Sequence, residues 1–282
     1  MESKCVFCSP VRDVAKHLEK NLENIETMSK VFSDYYIIFF YDKSKDNTLE
    51  KLEKFQEKHP NKMKIIINDK PLLKYRTHRI AYARNSIVEF IDKNLKSFEY
   101  MIIFDADEIC NYNIDLNVLK YHINLKTWDA LSFNRSKILH GNYDIWALIY
   151  EPYIHHCHSY NGCLDVVHAM RKDITEKLDN LKKGELFECY SAFNGIAIYR
   201  LEKFKNCRYD GEKQKYFSDE RINKMLDFLR KTVNKNLTIN FDYVDPSHGG
   251  GKQIAEHNNF HISAIRKNNA RIRISGEHLF KK

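Results

Sequence analysis

The chain has 282 residues, of which 43% are hydrophobic and 13% aromatic, with only 9 glycines and 5 prolines. Disordered and collagen-like chains are excluded, because neither combines 17 Phe and 17 Tyr with so little glycine and proline. The formal net charge of +8 would suit nucleic acid, an anionic membrane or a phosphate-bearing ligand. Because acidic and basic residues are interleaved, as on solvated helix faces, the net charge does not decide among these partners.

The first part of the chain alternates between predicted strands and helices. Apolar runs predict strands at 4–8, 35–41, 63–67 and 100–104, and helical periodicity predicts helices at 14–32, 48–58 and 78–94. Such repeated strand–helix units indicate a parallel sheet covered by helices and joined by right-handed crossovers. Ligands of these sheets bind beyond the carboxyl ends of the strands.

The pattern becomes mixed after Glu108. We predict helices at 116–123 and 218–232, strands at 130–134, 192–200 and 238–243, and a glycine-containing loop at 244–253. No internal repeat and no low-complexity linker divides the chain, so we expect one domain over 1–282.

Cysteine usage and hydropathy indicate the compartment. Seven cysteines, an odd number, and the lack of an apolar leader predict a reduced, soluble cytoplasmic protein. No apolar run approaches the roughly 20 residues of a membrane span. Cys5 and Cys8 form a CxxC motif, but a buried free thiol is expected at Cys5. A histidine- and cysteine-rich segment could bind zinc, although it lacks a two-plus-two spacing: His155, His156, Cys157, His158, Cys163 and His168.

Two carboxylates one residue apart, Asp105 and Asp107, follow the predicted strand at 100–104. Such a pair can share Mg²⁺ or Mn²⁺ with a phosphate-bearing ligand, because these ions prefer oxygen ligands. The alternative is a solvated acidic turn. A haloacid dehalogenase-like phosphatase would instead use Asp105 as a nucleophile. That family has this strand near its start and continues with Gly-Thr, whereas Glu108 and Ile109 follow here.

Six segments occur in order along nearly the whole chain: Ser44-Lys45-Asp46-Asn47-Thr48, Arg79-Ile80-Ala81-Tyr82-Ala83-Arg84-Asn85, Phe104-Asp105-Ala106-Asp107-Glu108, Tyr143-Asp144-Ile145-Trp146-Ala147-Leu148, Gly195-Ile196-Ala197-Ile198-Tyr199 and Glu256-His257. Together they resemble the motifs of GT-A nucleotide-sugar glycosyltransferases, in particular giant-virus and fungal capsule-type transferases. The resemblance implies an α/β fold with a mainly parallel twisted sheet flanked by helices. Its Rossmann-like nucleotide-binding half would be 1–110, and 111–282 would form a mixed α+β acceptor-binding and C-terminal half.

The needs of a nucleotide-sugar donor suggest roles for several of these residues. Asp42 and Asp46 can accept hydrogen bonds from the base and ribose, although Asp46 is equally suited to cap a helix. Arg79 and Arg84, five apart on one predicted helix, can pair with the diphosphate through their planar guanidinium groups, unless each forms a surface ion pair. Asn85 either orients the donor or caps backbone groups.

The resemblance also implies a divalent ion on the diphosphate. Asp105 and Asp107 would hold this Mn²⁺ or Mg²⁺, which stabilises charge on the leaving nucleotide. Enzymes of this fold often add a late histidine, for which His257 and His248 are the candidates. Lys252, after the glycine cluster, resembles the basic loop that closes over the phosphates in glycogenin-like transferases.

The acceptor side is less defined. Inverting transfer needs a carboxylate base, for which Asp144 is the first candidate and Asp165 and Asp219 are alternatives. Retaining transfer needs no base in that place. Trp146 and the neighbouring tyrosines either stack on sugar rings or form an aromatic core.

We therefore expect a metal-dependent glycosyltransferase that moves a sugar from a nucleotide donor, most simply a UDP-sugar, to a glycan or a glycoprotein, including a collagen-like one. We expect no nucleic-acid partner and a cytoplasmic location, in the host if the protein is viral. A sugar- or nucleic-acid-binding module without catalysis is the alternative from a different functional class. The donor sugar, the acceptor, the stereochemistry and the oligomeric state stay open.

Overall fold

The computed structural model describes residues 3–71, 73–135, 143–161, 163–240 and 253–281. Predictions for His248, Lys252 and the glycine cluster beside them fall outside these residues.

The first part of the chain forms four parallel strands with helices between them. The elements are β1 (Lys4–Val11), α1 (Ala15–Ser29), β2 (Asp34–Tyr41), α2 (Thr48–Lys58), β3 (Met63–Ile67), α3 (Arg76–Asn94) and β4 (Tyr100–Phe104). The strands pair in the order β3-β2-β1-β4. All seven elements were predicted from periodicity, with bounds that differ by up to three residues.

The second part of the chain adds four strands to the same sheet and further helices around it. The elements are β5 (Asn113–Ile114), α4 (Leu116–Asn124), β6 (Ala130–Asn134), β7 (Tyr160–Asn161), α5 (Cys163–Asp179), β8 (Leu186–Cys189), β9 (Ile196–Arg200), α6 (Asp219–Thr232), β10 (Thr238–Ile239), α7 (Glu256–Asn268), β11 (Ile272–His278) and β12 (Phe280–Lys281). The eight-stranded sheet has the order β3-β2-β1-β4-β9-β6-β11-β8. Strand β9 runs antiparallel to both β4 and β6, and β11 runs parallel to β6 and antiparallel to β8. The predicted class, an α/β sheet that is parallel in its first half and mixed in its second, is confirmed.

Both faces of the sheet are covered, as a parallel sheet requires. Alternating residues of β1 point to opposite faces, so Cys5 and Phe7 contribute to one core while Val6 and Cys8 contribute to the other. Helices α1, α2 and α4 cover the first core, and α3, α5, α6 and α7 cover the second. Cys5 and Cys8 are therefore buried free thiols on opposite faces, an arrangement that rules out their CxxC motif as a metal site.

Within the described residues, none of the helices combines the length and the apolar character that crossing a membrane would need.

Candidate functional site

A cavity of about 610 Å³ lies at the carboxyl ends of β1, β2, β3 and β4. Asp42 and Asn68 line it beyond β2 and β3, and Asp105 and Asp107 line it beyond β4. The wall also carries the apolar side chains Val14, Phe40, Pro71, Leu73, Ile80 and Tyr82 and the cations Arg12, Arg76 and Arg79. This is the edge at which a parallel sheet is expected to bind its ligand. A cavity of about 710 Å³ at the other end of β4, beside Phe98 and Arg200, contains none of the predicted site residues.

The turn after β4 is held against the start of β9. The Asp105 N–H donates to the Gly195 carbonyl oxygen at 2.8 Å, and the Asp107 carboxylate accepts from the Ile109 N–H at 3.0 Å. Gly195 has φ +87°, in the left-handed region that favours glycine. A Cβ there would lie 2.3 Å from Ile109 Cγ2, so glycine also permits the close contact of the two segments.

Arg84 connects this turn to helix α7. Its guanidinium donates to the Asp105 carboxylate at 3.0 Å and to the Glu256 carboxylate. The Arg84 side chain is 3% exposed and that of Glu256 5%, whereas the Asp105 side chain keeps 34% exposure at the cavity. The guanidinium lies 4.9 Å from the Phe193 ring centroid and 5.7 Å from that of Tyr209. Arg84 therefore holds Asp105 from inside the protein. This differs from the predicted contact with a diphosphate, for which a buried and doubly paired guanidinium is badly placed.

His257 contacts the same guanidinium. Its Nε2 accepts from Arg84, and its Nδ1 lies 3.3 Å from the Tyr199 hydroxyl. The imidazole stacks on Phe193 with 3.9 Å between ring centroids. Burial lowers the pKa of His257 far below its usual range, and the Arg84 charge lowers it further, so the ring is neutral. Because both ring nitrogens are engaged inside the protein, the prediction that His257 ligates a metal is corrected to a role in supporting Arg84.

Burial and neighbouring charges of both signs determine the pKa of Asp105. Desolvation raises the pKa of Asp105 to about 6, the Arg84 guanidinium opposes this increase, and the Asp107 carboxylate adds to it. Asp105 is therefore mainly ionised at pH 7, next to a second carboxylate on the same turn. This pair gives the cavity a negatively charged end.

The donor set at that end suits a hard divalent cation only in part. Among the described residues, no three His, Cys, Asp or Glu side chains converge to hold a metal ion, either here or in the segment around His155 that was considered for zinc. Asp105 and Asp107 would supply two carboxylate ligands. Mg²⁺ and Mn²⁺ commonly take the rest of their coordination from phosphate oxygens and water. The residues present therefore fit an ion bound together with a phosphate ligand.

The other predicted donor-site residues divide into two groups. Asp42 lines the cavity, where its carboxylate accepts from the Asn68 amide at 2.9 Å. Asp46 instead accepts from the backbone N–H groups of Ala15 and Thr48, at 2.9 and 3.1 Å, and thus has the helix-capping role that was its alternative.

Asn85 also takes the second of its two proposed roles. Its amide donates to the Tyr209 carbonyl oxygen at 2.9 Å and accepts from the Tyr209 N–H at 2.8 Å. Both polar ends of the side chain are therefore used within the fold, so orientation of a donor by Asn85 is not supported.

Arg76 was not predicted as a site residue, yet it is exposed at the start of α3 and lines the cavity. Its positive charge acts to lower the pKa of Asp105, and its guanidinium lies 5.8 Å from the Trp146 ring centroid. Arg79 lines the same wall and donates to the carbonyl oxygens of Leu73 and Lys74, which fixes the loop before α3. The i, i+3 spacing of the two arginines was the available signal, because it places them on one helix face.

Asp144 lies two residues before Trp146, whose ring centroid is 5.8 Å from the guanidinium of the cavity residue Arg76. It is exposed, its N–H donates to the Asn194 amide oxygen at 3.1 Å, and its carboxylate accepts from the Trp146 N–H at 2.9 Å. The charge of Asp144 is among those that act to raise the pKa of Asp105. The alternatives lie elsewhere: Asp165 bonds to Asn234 at 2.6 Å on the surface.

Comparisons with known proteins found no matching family model and no matching curated protein. Among solved structures, S. aureus TarS 1–349 in complex with UDP-GlcNAc is similar, with 12% identity, a TM-score of 0.47, and coverage of 98% of this chain and 57% of that one. The mannosyltransferase PcManGT from Pyrobaculum calidifontis, in complex with GDP-Man and Mn²⁺, has 14% identity and a TM-score of 0.41, covering 74% of this chain and 48% of that one. Glucosyl-3-phosphoglycerate synthase from Mycobacterium tuberculosis, in complex with Mn²⁺, UDP and glucosyl-3-phosphoglycerate, has 10% identity and a TM-score of 0.40, over 83% and 67% of the two chains. The chain thus spans about half the length of the first two.

Proposed function

We propose that this chain is a GT-A glycosyltransferase that transfers a sugar from a nucleoside diphosphate sugar with the help of Mn²⁺ or Mg²⁺. The observation that carries the proposal is the cavity at the carboxyl edge of the sheet, with polar groups at one end and an aspartate pair at the other. The ordered sequence motifs of this family support the same function.

The cavity lining suggests how a donor would lie. The apolar wall around Phe40 and Tyr82 would take the flat nucleobase, and Asp42 would accept hydrogen bonds from the base or ribose. Arg76 would pair with the diphosphate, since its side chain is exposed and lies on the cavity wall. The sugar would then lie toward Asp105 and Asp144.

In the reaction, an acceptor hydroxyl oxygen forms a bond to the anomeric carbon. The bond between that carbon and the diphosphate oxygen breaks, and its electron pair leaves with the nucleoside diphosphate. Asp105 and Asp107 would hold the divalent ion, which when bound would supply stabilisation of the charge on this leaving group. Asp144 would take the acceptor proton if the transfer inverts the configuration.

The acceptor would enter beside Trp146. This ring is partly buried next to Asp144 and Arg76, and its exposed part could stack on a sugar. We therefore propose a glycan or a glycoprotein as the acceptor, with the protein itself in the cytoplasm. A viral origin, suggested by the resemblance, would be compatible with either acceptor.

The experiment is a thermal-shift and calorimetric screen of UDP, GDP and their sugars with and without Mn²⁺, followed by a donor-hydrolysis assay. We expect one nucleotide to bind more tightly with Mn²⁺ and its sugar to be hydrolysed slowly. Asp107→Ala should abolish the part of nucleotide binding and of donor hydrolysis that depends on Mn²⁺. Glu108→Ala is the matched control, because Glu108 is exposed on the same turn and does not line the cavity.

Four outcomes would contradict the proposal. Failure of every nucleotide to bind would contradict the proposed donor site. Normal metal-dependent activity in Asp107→Ala would contradict the proposed ion site. Nucleotide binding without hydrolysis or transfer would favour a binding module, and a steep salt dependence of nucleic-acid affinity would favour a nucleic-acid partner.

A further inference from the structure

Arg84, Asp105 and Glu256 form a three-membered charge cluster that the proposed function leaves unexplained. The positive charge of Arg84 lies between two carboxylates, one from the turn after β4 and one from the first turn of α7. Glu256 lies on the sealed side, with 5% of its side chain exposed, and Asp105 lies on the cavity side. A pairing of Arg84 with Asp105 alone would have sufficed to orient Asp105.

The second carboxylate changes the charge that the cavity presents. Arg84 contributes one positive charge, whereas Asp105, Asp107 and Glu256 contribute three negative charges and His257 is neutral. Without Glu256 the same group would have a net charge of −1 in place of −2. Water screens charges weakly in a buried cluster, so this difference acts strongly on an ion at the aspartates.

The position of Glu256 is fixed at a second point along α3. The Gln253 amide oxygen accepts from the Thr77 N–H at 3.1 Å and from the Thr77 hydroxyl at 3.0 Å. Thr77 and Arg84 are seven residues apart, which is about two turns and so one face of the helix. The segment from Gln253 to Glu256 thus runs along α3 and carries the carboxylate to the guanidinium.

We infer that Glu256 is a positioning residue: by compensating the charge of Arg84, it lets Arg84 orient Asp105 while the aspartate pair keeps its negative charge for a divalent cation. This inference rests on the proposed function, since it concerns the same ion. It assigns a role to a residue of α7 that does not line the cavity.

The first test measures Mn²⁺ affinity directly, by calorimetry or by the electron paramagnetic resonance signal of free Mn²⁺, in the presence of the nucleotide that binds best. Glu256→Gln keeps the size and an acceptor oxygen but removes the charge. We expect its Mn²⁺ affinity to fall by about tenfold or more, as is typical when a partner of a metal ligand is changed. Asp92→Asn is the matched control, because Asp92 lies on α3 in an exposed ion pair with Arg208 at 3.0 Å.

The double variant Arg84→Gln with Glu256→Gln separates charge compensation from general damage. It restores the net charge of −2 but loses the guanidinium that orients Asp105, so we expect it to regain only part of the Mn²⁺ affinity that Glu256→Gln alone loses. Equal affinity of Glu256→Gln and the Asp92→Asn control would overturn the inference, as would a double variant that binds no better than the single one. Absence of Mn²⁺ binding in the unmodified chain would instead reject the proposed function.

A second measurement needs no folded Glu256 variant. In ¹⁵N-arginine side-chain NMR of the unmodified chain, the Arg84 signal, identified by its loss in Arg84→Lys, should shift when Mg²⁺ binds, because Asp105 is shared between the two. The Arg200 signal should stay fixed, since its guanidinium bonds to the Trp128 and Leu125 carbonyl oxygens at the other end of the sheet. An unchanged Arg84 signal on Mg²⁺ binding would also overturn the inference.

Discussion

Replacing Gly195 tests whether the site turn depends on the close contact between β9 and the residues after β4. Gly195 has φ +87°, and a Cβ on it would lie 2.3 Å from Ile109 Cγ2, far inside normal contact. Its carbonyl oxygen accepts from the Asp105 N–H. Gly195→Ala should therefore both strain the backbone and push the turn away from β9.

The expected magnitude has two parts. A left-handed backbone costs an alanine about 1–2 kcal/mol, and overpacking a well-packed site costs about 1–3 kcal/mol. We expect Gly195→Ala to lower the free energy of unfolding by about 2–5 kcal/mol in total. Gly184→Ala isolates the first part, because Gly184 has a similar φ of +83° but its Cβ would meet only the hydroxyl end of the exposed Tyr121, which can move.

Urea unfolding monitored by circular dichroism gives these differences from the midpoints, provided that the slopes agree between variants. Removing Cγ2 with Ile109→Ala should relieve the overlap, so the double variant with Gly195→Ala should be about 1–3 kcal/mol more stable than the sum of the single changes. The reasoning is refuted if Gly195→Ala costs no more than Gly184→Ala, or if the double-variant cycle shows no coupling.

Three further predictions concern single side chains. Arg76→Ala should weaken binding of the nucleoside diphosphate about tenfold or more, measured by calorimetry, because a charged hydrogen-bonding group is lost from the cavity wall. Asp129→Asn should reduce the acid sensitivity of folding: burial tends to raise the pKa of Asp129, but hydrogen bonds from Arg271 outweigh this and lower it. The pKa of Asp129 is lower in the folded than in the unfolded state, so its stabilisation of the fold is complete above the usual pKa of about 4 and is lost as the pH falls through the folded-state pKa. The free energy of unfolding, measured from pH 6 to pH 2, should therefore decline less in Asp129→Asn than in the unmodified chain. Thr77→Val should lower the free energy of unfolding by about 0.5–1.5 kcal/mol, since the buried Gln253 amide oxygen loses the Thr77 hydroxyl as a donor but keeps the Thr77 N–H.

Each of these has an outcome that would contradict it. Unchanged nucleotide affinity in Arg76→Ala would show that the diphosphate lies elsewhere. Parallel stability curves of Asp129→Asn and the unmodified chain across the acid range would show that this ion pair is not the cause of the acid sensitivity. A fully stable Thr77→Val would show that the Thr77 hydroxyl adds no net stabilisation to the bond that the Thr77 N–H makes with Gln253.

The strands of the first half could be predicted because local pattern determines them. Strands β3 and β4 and helix α2 have the bounds expected from their apolar runs and helical periodicity. The sequence could also place Asp105 and Asp107 at the correct edge, since the carboxyl ends of parallel strands share one edge.

Helix α7 escaped prediction because four of its seven buried residues are polar or charged. Glu256, His257, Asn258 and His261 are all buried, so hydrophobic periodicity gives no sign of a core-facing helix. Their partners come from distant parts of the chain: Arg84 bonds to Glu256 and His257, 172 and 173 positions away, and Ser191 bonds to Asn258 and His261. No local pattern encodes such a partner, and for that reason Arg84 and His257 were given roles toward a ligand.

The sheet order has a consequence for how the chain is made. Strand β11 lies between β6 and β8 in the sheet. In the chain it follows β8 by more than eighty residues and β6 by about 140. Until residue 278 has left the ribosome, β6 keeps one unpaired edge and β8 has no partner in the sheet, so both strands can pair with a strand of another chain. Closing these long loops is slow. We therefore expect the nascent protein to depend on chaperones and to aggregate when it is synthesised quickly at high concentration.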